Sequence, residues 1–303
     1  MISCKDIIGE VEFSYQSKRS EKEFQLDTQK EKLLLIPEYA EVCKKLSAAI
    51  FDCNKAEFDK DVKKAEALQF EIDKLKSLKS KIEADNGIIT AYECAICKDT
   101  GDLPNGKCSC FYQKVADACY KELGINRQHL STFEDDTLSN KNGTAKYFEK
   151  LLKYAVNFKK DSLNLIFTGK TGTGKTFLAQ AVADKISKNN NVVLFLSASA
   201  LNNVYLENMY SSPFEAKKIN DILETCDFLV IDDLGAERLI NKVTVENLYI
   251  LISARIEAKK PYLITTNLTL NEINARYGDR LFSRLTSKNS LTFNFTGSDL
   301  RKF

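Results

Sequence analysis

Eight residues, GKTGTGKT at 169–176, constrain this chain more than any other stretch. They match the pattern G-x-x-x-x-G-K-[S/T], and they follow the apolar run LNLIFTG (163–169) and precede a helix expected to begin near Gly174. Gly169, Gly172 and Gly174 permit torsions that let successive N–H groups curl around phosphate oxygens, at the positive end of the following helix. Lys170, Thr171 and Thr173 complete the loop, and Phe177 follows it. Lys175 is expected to neutralise the β- and γ-phosphates of ATP, and the Thr176 hydroxyl to ligate Mg²⁺. The alternative, a glycine-rich turn that matches by accident, is opposed by the flanking strand and helix.

Four further apolar runs follow: VVLFLSA (192–198), FLVIDDL (228–234), YLITTN (262–267) and LTFNFT (291–296). Helix-length segments separate them, the alternation that specifies a parallel sheet covered by helices on both faces. Asp232 ends its apolar run and is expected to hold the magnesium ion through its water shell. Asp233 is then the candidate to orient or deprotonate the attacking water, against a reading as a helix cap or turn residue. Glu237 is a second candidate for positioning. Asn267 can reach the γ-phosphate or the water if its strand lies between the phosphate-loop strand and the acid strand; alone, it would read as a turn residue. In GDRLFSRL, Arg280 and Arg284 share one face of a short helix at i, i+4 spacing. They are either solvated surface arginines, or one of them reaches the γ-phosphate of a neighbouring subunit.

Together GKTGTGKT, IDDLG, the TTN triplet, the R-x-x-x-R helix and a chain that stops soon after its last strand resemble an AAA+ ATPase. Residues 130–303 are similar to the DnaC/DnaI type, the bacterial replicative helicase loaders, and also to the IstB transposition ATPases. The resemblance implies an AAA+ P-loop core with a five-stranded parallel sheet and no C-terminal lid. It implies that Asp232 is the Walker B acid, Asp233 stands in the catalytic acid position, Asn267 is sensor 1, Arg284 is the arginine finger and Arg301 is the sensor 2 arginine. Many AAA+ proteins have Glu where Asp233 stands, which implies slow turnover. Self-association through the ATPase domain also follows from the resemblance.

The stretch LNNVYLENMYSSPFEAKKIND, before the acid strand, is longer than a plain helix crossover requires. The resemblance puts the single-stranded DNA surface of loaders here and just after the acid motif. Tyr210, Lys217, Lys218 and Lys242 are the expected contacts, by stacking and by charge. Tyr205 and Phe214 are expected to pack on the sheet.

The cysteines are the second constraint. Cys94-x-x-Cys97, ten residues, then Cys108-x-Cys110 form two close pairs, and the turn-forming TGDLPNGK between them lets the pairs fold back to meet. Four thiolates give a closed, structural zinc site. A redox C-x-x-C pair lacks its βαβ surround, and reduced thiols are the remaining alternative. Cys119 would be a fifth ligand that zinc does not want, and His129, the only histidine, reads as a linker residue. Loaders of the DnaI kind are similar in carrying a zinc-binding N-terminal region that holds the helicase, whereas IstB ATPases generally lack the cysteine set.

Before the cysteines the chain is charged and helical in spacing. Phe58, Val62, Ala65, Leu68, Ile72, Leu75, Leu78 and Ile82 predict one amphipathic helix from Phe58 to Ile82, ended by Asn86-Gly87. Tyr39, Cys43, Leu46, Ile50 and Cys53 predict another, packed antiparallel to it, and a short basic helix is expected near Phe111–Leu123. The expected organisation is a helical partner-docking region at 1–90, a four-cysteine zinc module at 91–125 and the AAA+ domain at 126–303. With 44 Lys+Arg against 42 Asp+Glu, bulk charge demands neither nucleic acid nor an anionic membrane. The N-terminus lacks a signal pattern and no long apolar run occurs, so a soluble, cytoplasmic protein is expected. The leading function is ATP-dependent loading of a hexameric replicative helicase onto single-stranded DNA. The rivals are a transposition or phage replication ATPase, and an ATP-switched adaptor with negligible hydrolysis.

Overall fold

The computed structural model of the protein describes residues 4–88, 92–135, 145–240 and 243–297. The chain divides into two compact units, one of residues 13–100 and one of residues 1–12 with 101–303.

The smaller unit is helical. Helix α1 (Cys4–Leu33) enters it, and α2 (Pro37–Phe58) and α3 (Val62–Asp85) form its hairpin. Pro37 occupies the first turn of α2, where its missing N–H costs nothing. The expected helix from Phe58 needs correction: Phe58 is the last residue of α2, and a turn at 59–61 intervenes, with Lys60 at φ 59°. Asp61 then caps α3, its carboxylate accepting the Lys64 N–H at 3.2 Å. Two small clusters hold the hairpin. Tyr39, Val42 and Ile82 meet Leu33 in one, and Ala49, Cys53 and Ile72 form the other. Ile50, counted with the buried stripe, is 39% exposed, because Val42, Ala49 and Ala56 supply the inward face of α2 in its place.

From residue 101 the larger unit forms a two-stranded hairpin, β1 (Asp102–Leu103) and β2 (Gly106–Lys107), followed by α4 (Ser109–Glu122). After a 3₁₀ turn and α5 (Ala145–Val156) comes β3 (Asn164–Gly169), then α6 (Lys175–Lys188), β4 (Val193–Ser197), α7 (Ala198–Asn208), α8 (Pro213–Thr225) and β5 (Phe228–Leu234). The chain continues through α9 (Thr244–Glu257), β6 (Tyr262–Thr266), α10 (Leu270–Tyr277), α11 (Asp279–Leu285) and β7 (Ser290–Phe295). Thus each of the five apolar runs forms a strand. The sheet is parallel throughout, in the order β4-β5-β6-β3-β7.

The alternation of side chains across the pleat explains why both faces are covered. Leu165, Phe167, Val193, Phe195, Val230, Leu263 and Phe295 meet Leu151 of α5 and Leu178, Val182 and Ile186 of α6 in one core. On the opposite face Ile231 and Leu234 approach Leu201 and Tyr205 of α7 and Leu248 of α9. The stretch between β4 and β5 is long because it holds two helices. Ser212 and Glu215 form a capping box that starts the second, with Pro213 in its first turn.

A fully buried arginine fastens the lower end of this face. Arg255 of α9 donates to the carbonyls of Leu223, Cys226 and Pro261 at 2.6, 3.2 and 2.7 Å. It satisfies the carbonyl end of α8, where a cation also meets the negative pole of the helix.

Candidate nucleotide site

Strand β6 runs between β3 and β5, so the condition set for Asn267 is met: its strand separates the phosphate-loop strand from the acid strand. The functional side chains gather at the carboxyl ends of these three strands, where open parallel sheets bind ligands. They line a cleft of about 490 Å³ formed by Thr171, Gly172, Gly174, Lys175, Thr176, Phe177, Asp232, Asp233, Thr265 and Asn267.

The loop reaches this cleft through a close approach. A Cβ at Gly169, φ +140°, would lie 2.2 Å from the Phe295 carbonyl oxygen, so only glycine lets β3 end against β7 here. Thr173 turns inward and its hydroxyl donates to the Lys170 carbonyl at 2.8 Å, which closes the loop on itself. Gly174, φ +89°, then starts α6.

Lys175 is buried, and its ammonium donates to the carbonyls of Gly169 and Lys170 at 2.7 and 2.8 Å and to Asn267 Oδ1 at 2.8 Å. One residue on, the Thr176 hydroxyl lies 3.0 and 3.2 Å from the two carboxylate oxygens of Asp232. Asn267 uses its other amide atom as well, with Nδ2 donating to Asp233 Oδ1 at 2.8 Å. Lys175, Thr176, Asp232, Asp233 and Asn267 therefore join one hydrogen-bonded constellation.

Two features of it were not read from the sequence. First, β5 carries a bulge. Ile231 pairs with Ile264 and Leu234 with Thr266, so β5 spends one residue more than β6 across Asp232 and Asp233. Asp233 takes φ 58°, a conformation that Asp tolerates better than most residues. The extra residue lets Asp232 address Thr176 while Asp233 addresses Asn267. Second, Thr265 binds the bulge in place. Its hydroxyl donates to Asp232 Oδ1 at 2.6 Å and accepts the Asp233 N–H at 2.9 Å. The TTN triplet carries the signal, since its first residue supplies this hydroxyl.

Burial pushes the Asp232 carboxyl above its ordinary range, opposed by the hydrogen bonds from Thr265 and Thr176. Such a desolvated carboxylate beside a hydroxyl suits a hydrated magnesium ion, whose charge would favour the ionised form. Glu237 stands apart from this chemistry. It is buried, accepts the Gly235 N–H at 2.8 Å and the Tyr277 hydroxyl, and lies 3.8 Å from Arg276. It braces the turn after the acids against α10.

Neither Arg280 nor Arg284 lines the cleft. Both are exposed on α11. Tyr210 is 91% exposed at the turn between α7 and α8, with Met209 and Phe214 exposed beside it. Phe214 corrects the expectation that it packs on the sheet; Tyr205 is buried as expected. Lys217 is exposed on α8, and Lys218, half-buried on the same helix, is ion-paired with Glu122 at 2.5 Å. Lys242 and Arg301 lie outside the described residues.

In the stretch 94–110 the sulfur atoms of Cys94, Cys97, Cys108 and Cys110 lie within 4.8 Å of one another. A tetrahedral zinc with Zn–S bonds of about 2.3 Å separates its sulfurs by about 3.8 Å, so four thiolates at this spacing fit the ion. The Lys98 and Thr100 N–H groups return to the Cys94 and Cys97 carbonyls at 2.9 and 3.1 Å, and Asp99 Oδ1 accepts the Cys94 N–H at 2.7 Å. These bonds curl the first cysteine pair into a knuckle. Cys119 is buried and outside the cluster. No helix among the described residues is long and apolar enough to cross a membrane.

A parallel sheet with one strand inserted between phosphate loop and acids, and a lysine and hydroxyl facing two aspartates, defines a P-loop nucleotide-binding protein of the AAA+ class. The family can be given more closely. A family model described as IstB-like ATP binding protein matches residues 127–287, more than half of the chain, and the chain belongs to that family. It is similar to the replicative helicase loader DnaC of Escherichia coli (strain K12), at 24% identity over 184 residues, which cover 60% of this chain and 74% of that protein. Among solved structures, a DnaC helicase loader covers 55% of this chain and 97% of its own, at 22% identity and TM-score 0.48. The crystal structure of DnaI covers 60% and 93%, at 20% identity and TM-score 0.46.

Proposed function

We propose that this chain is an ATP-dependent loader of a replicative DNA helicase. The observation that carries the reading is its similarity to DnaC across 74% of that protein, in a chain whose family match, residues 127–287, includes the nucleotide constellation. In this reading the loop from Gly169 to Phe177 cradles the phosphates of ATP, with Lys175 moving from the loop carbonyls onto them. Thr176 and Asp232 hold magnesium, directly and through water. Asp233 orients the attacking water, Asn267 reports on the γ-phosphate, and Arg284 acts on the nucleotide of an adjacent subunit. Arg301 has the sensor 2 role. Turnover is slow because the shorter side chain of Asp233 replaces a glutamate.

Cys94, Cys97, Cys108 and Cys110 hold zinc, which supplies a rigid cross-link and no chemistry. The N-terminal region grips the hexameric helicase, and the surface around Tyr210, Lys217, Lys218 and Lys242 meets single-stranded DNA in the cytoplasm. Lys218 must exchange Glu122 for phosphate to take part, and Tyr210, 91% exposed, is the leading member of this surface.

The test is reconstitution with the purified full-length chain and the hexameric replicative helicase of the same cell. Co-elution that depends on ATP, followed by transfer of the helicase to a single-stranded circle, is expected. No complex at micromolar concentrations with either nucleotide would remove the loader reading. The matching family model favours a second reading, an IstB-like transposition ATPase. It predicts ATP-dependent binding to duplex DNA and indifference to the helicase.

A further inference from the structure

Arg280 and Arg284 are two like charges at i, i+4 on α11, a spacing at which like charges repel. Among the described residues neither has a carboxylate within ion-pair distance, and both are exposed. What gathers them is Tyr249 of α9. Its ring centroid lies 4.6 Å from the Arg280 guanidinium carbon and 5.9 Å from that of Arg284. Arg280 Nη2 also lies 3.5 Å from the phenol oxygen. The face of the ring and the lone pairs of the hydroxyl are the negative groups that let the cations converge without neutralising them. The Tyr249 hydroxyl is accordingly held below its ordinary value, first by Arg284 and then by Arg280. The result is a doubly positive surface fork supported by an aromatic base, away from the cleft of its own chain.

We propose that Tyr249 is a positioning residue that holds Arg280 and Arg284 as a pair, presented to the terminal phosphate of ATP bound to a second copy of this chain. The proposal rests on the reading of Arg284 as acting between subunits and extends it to a two-arginine fork built on a tyrosine. A polyphosphate suits the fork because planar guanidiniums match its oxygens, and because two uncompensated charges make the pair most favourable when the anion carries several.

The experiment measures steady-state ATP turnover against protein concentration for the full chain and for Arg284→Ala, Arg280→Ala, Tyr249→Ala and Tyr249→Phe. Removing a finger is expected to lower kcat by about 100-fold or more. Tyr249→Ala is expected to lower kcat about 10-fold with KM for ATP changed less than about 2-fold. Tyr249→Phe, which keeps the ring and guards against misfolding, should fall between it and the parent. Adding Lys175→Ala chains, whose own sites are dead and whose forks are intact, should restore turnover to Tyr249→Ala chains. If parent turnover is undetectable, ATP-dependent self-association by sedimentation is compared across the same variants, with the same order expected. Full activity in both Tyr249 variants, with Arg284→Ala impaired, overturns the proposal and leaves the inter-subunit reading standing. Full activity in Arg284→Ala overturns both. A loss of single-stranded DNA affinity in Tyr249→Ala, with turnover unchanged, assigns the fork to the DNA backbone and also overturns it.

Discussion

The ammonium of Lys175 and the amide oxygen of Asn267 lie 2.8 Å apart, and the same amide donates its nitrogen to Asp233 at 2.8 Å. One side chain therefore joins the cation proposed to meet phosphate to the acid proposed to steer water. Replacing it by alanine leaves the loop carbonyls to hold Lys175, so ATP affinity should change less than about 5-fold, while turnover falls about 100-fold for loss of one transition-state donor. Fluorescent-nucleotide titration and phosphate release separate the two; a parallel loss of affinity and turnover would make Asn267 a binding residue only.

Asp233 occupies the bulge at φ 58° with its N–H held by Thr265, so its backbone position does not depend on its carboxylate. Asp233→Asn should therefore fold and bind ATP as the parent does, with turnover abolished. Turnover within about 2-fold of the parent would take Asp233 out of the catalytic role.

The raised Asp232 carboxyl has a consequence for stability. Because the folded state favours the protonated form, this group contributes most below the ordinary carboxylate range, and its contribution is lost as pH rises through the raised value. At neutral pH the ionised group is a cost that magnesium nucleotide offsets. Asp232→Asn should raise Tm without nucleotide, flatten the fall in Tm as pH rises above the ordinary carboxylate range, and remove the Tm gain on adding ATP with magnesium. Thermal melts across pH, with and without the nucleotide, read all three; a lowered nucleotide-free Tm would show that the hydrogen bonds from Thr176 and Thr265 outweigh desolvation.

These relationships were legible in the sequence to different depths. The five strands were visible because parallel strands buried on both faces must be continuously apolar, as FLVI and LNLIF are. The phosphate loop was visible because glycine, lysine and threonine at fixed spacing have few other uses. The bulge was not, since one extra residue leaves no mark on composition and is defined only by pairing with β6. Tyr249 and Arg280 are 31 residues apart and meet only through the packing of α9 on α11. In the hairpin, Phe58 and Val62 have the spacing of one stripe, yet the chain turns between them, because periodicity alone does not see an Asp61 cap inside a regular pattern.

The close approach at Gly169 gives a mechanical prediction. A methyl group there meets the Phe295 carbonyl at 2.2 Å in a backbone conformation that alanine resists. Gly169→Ala should cost about 3 kcal/mol, combining overpacking with torsional strain, and should displace the loop whose carbonyl holds Lys175. Denaturant unfolding and nucleotide titration check it. A stable variant with parent affinity would mean that β7 yields at its end and that the loop does not depend on it.

The four-cysteine stretch yields the last prediction. With the sulfurs within 4.8 Å of one another, a reduced preparation should hold one zinc per chain, and cobalt substitution should give the intense visible absorption of a tetrahedral tetrathiolate. Cys108, fully buried, also donates its N–H to the Gly101 carbonyl at 2.8 Å, so it would couple a bound metal to the start of the small hairpin. Cys108→Ser should lose the metal and expose residues 94–110 to hydrogen exchange, while ATP binding stays within about 2-fold because the nucleotide cleft contains none of these residues. Cys119→Ser, equally buried but outside the cluster, should keep one zinc per chain. Metal analysis of the two variants side by side distinguishes a built site from general thiol affinity. Equal zinc in both, or none in the parent, would return the four cysteines to the status of reduced thiols.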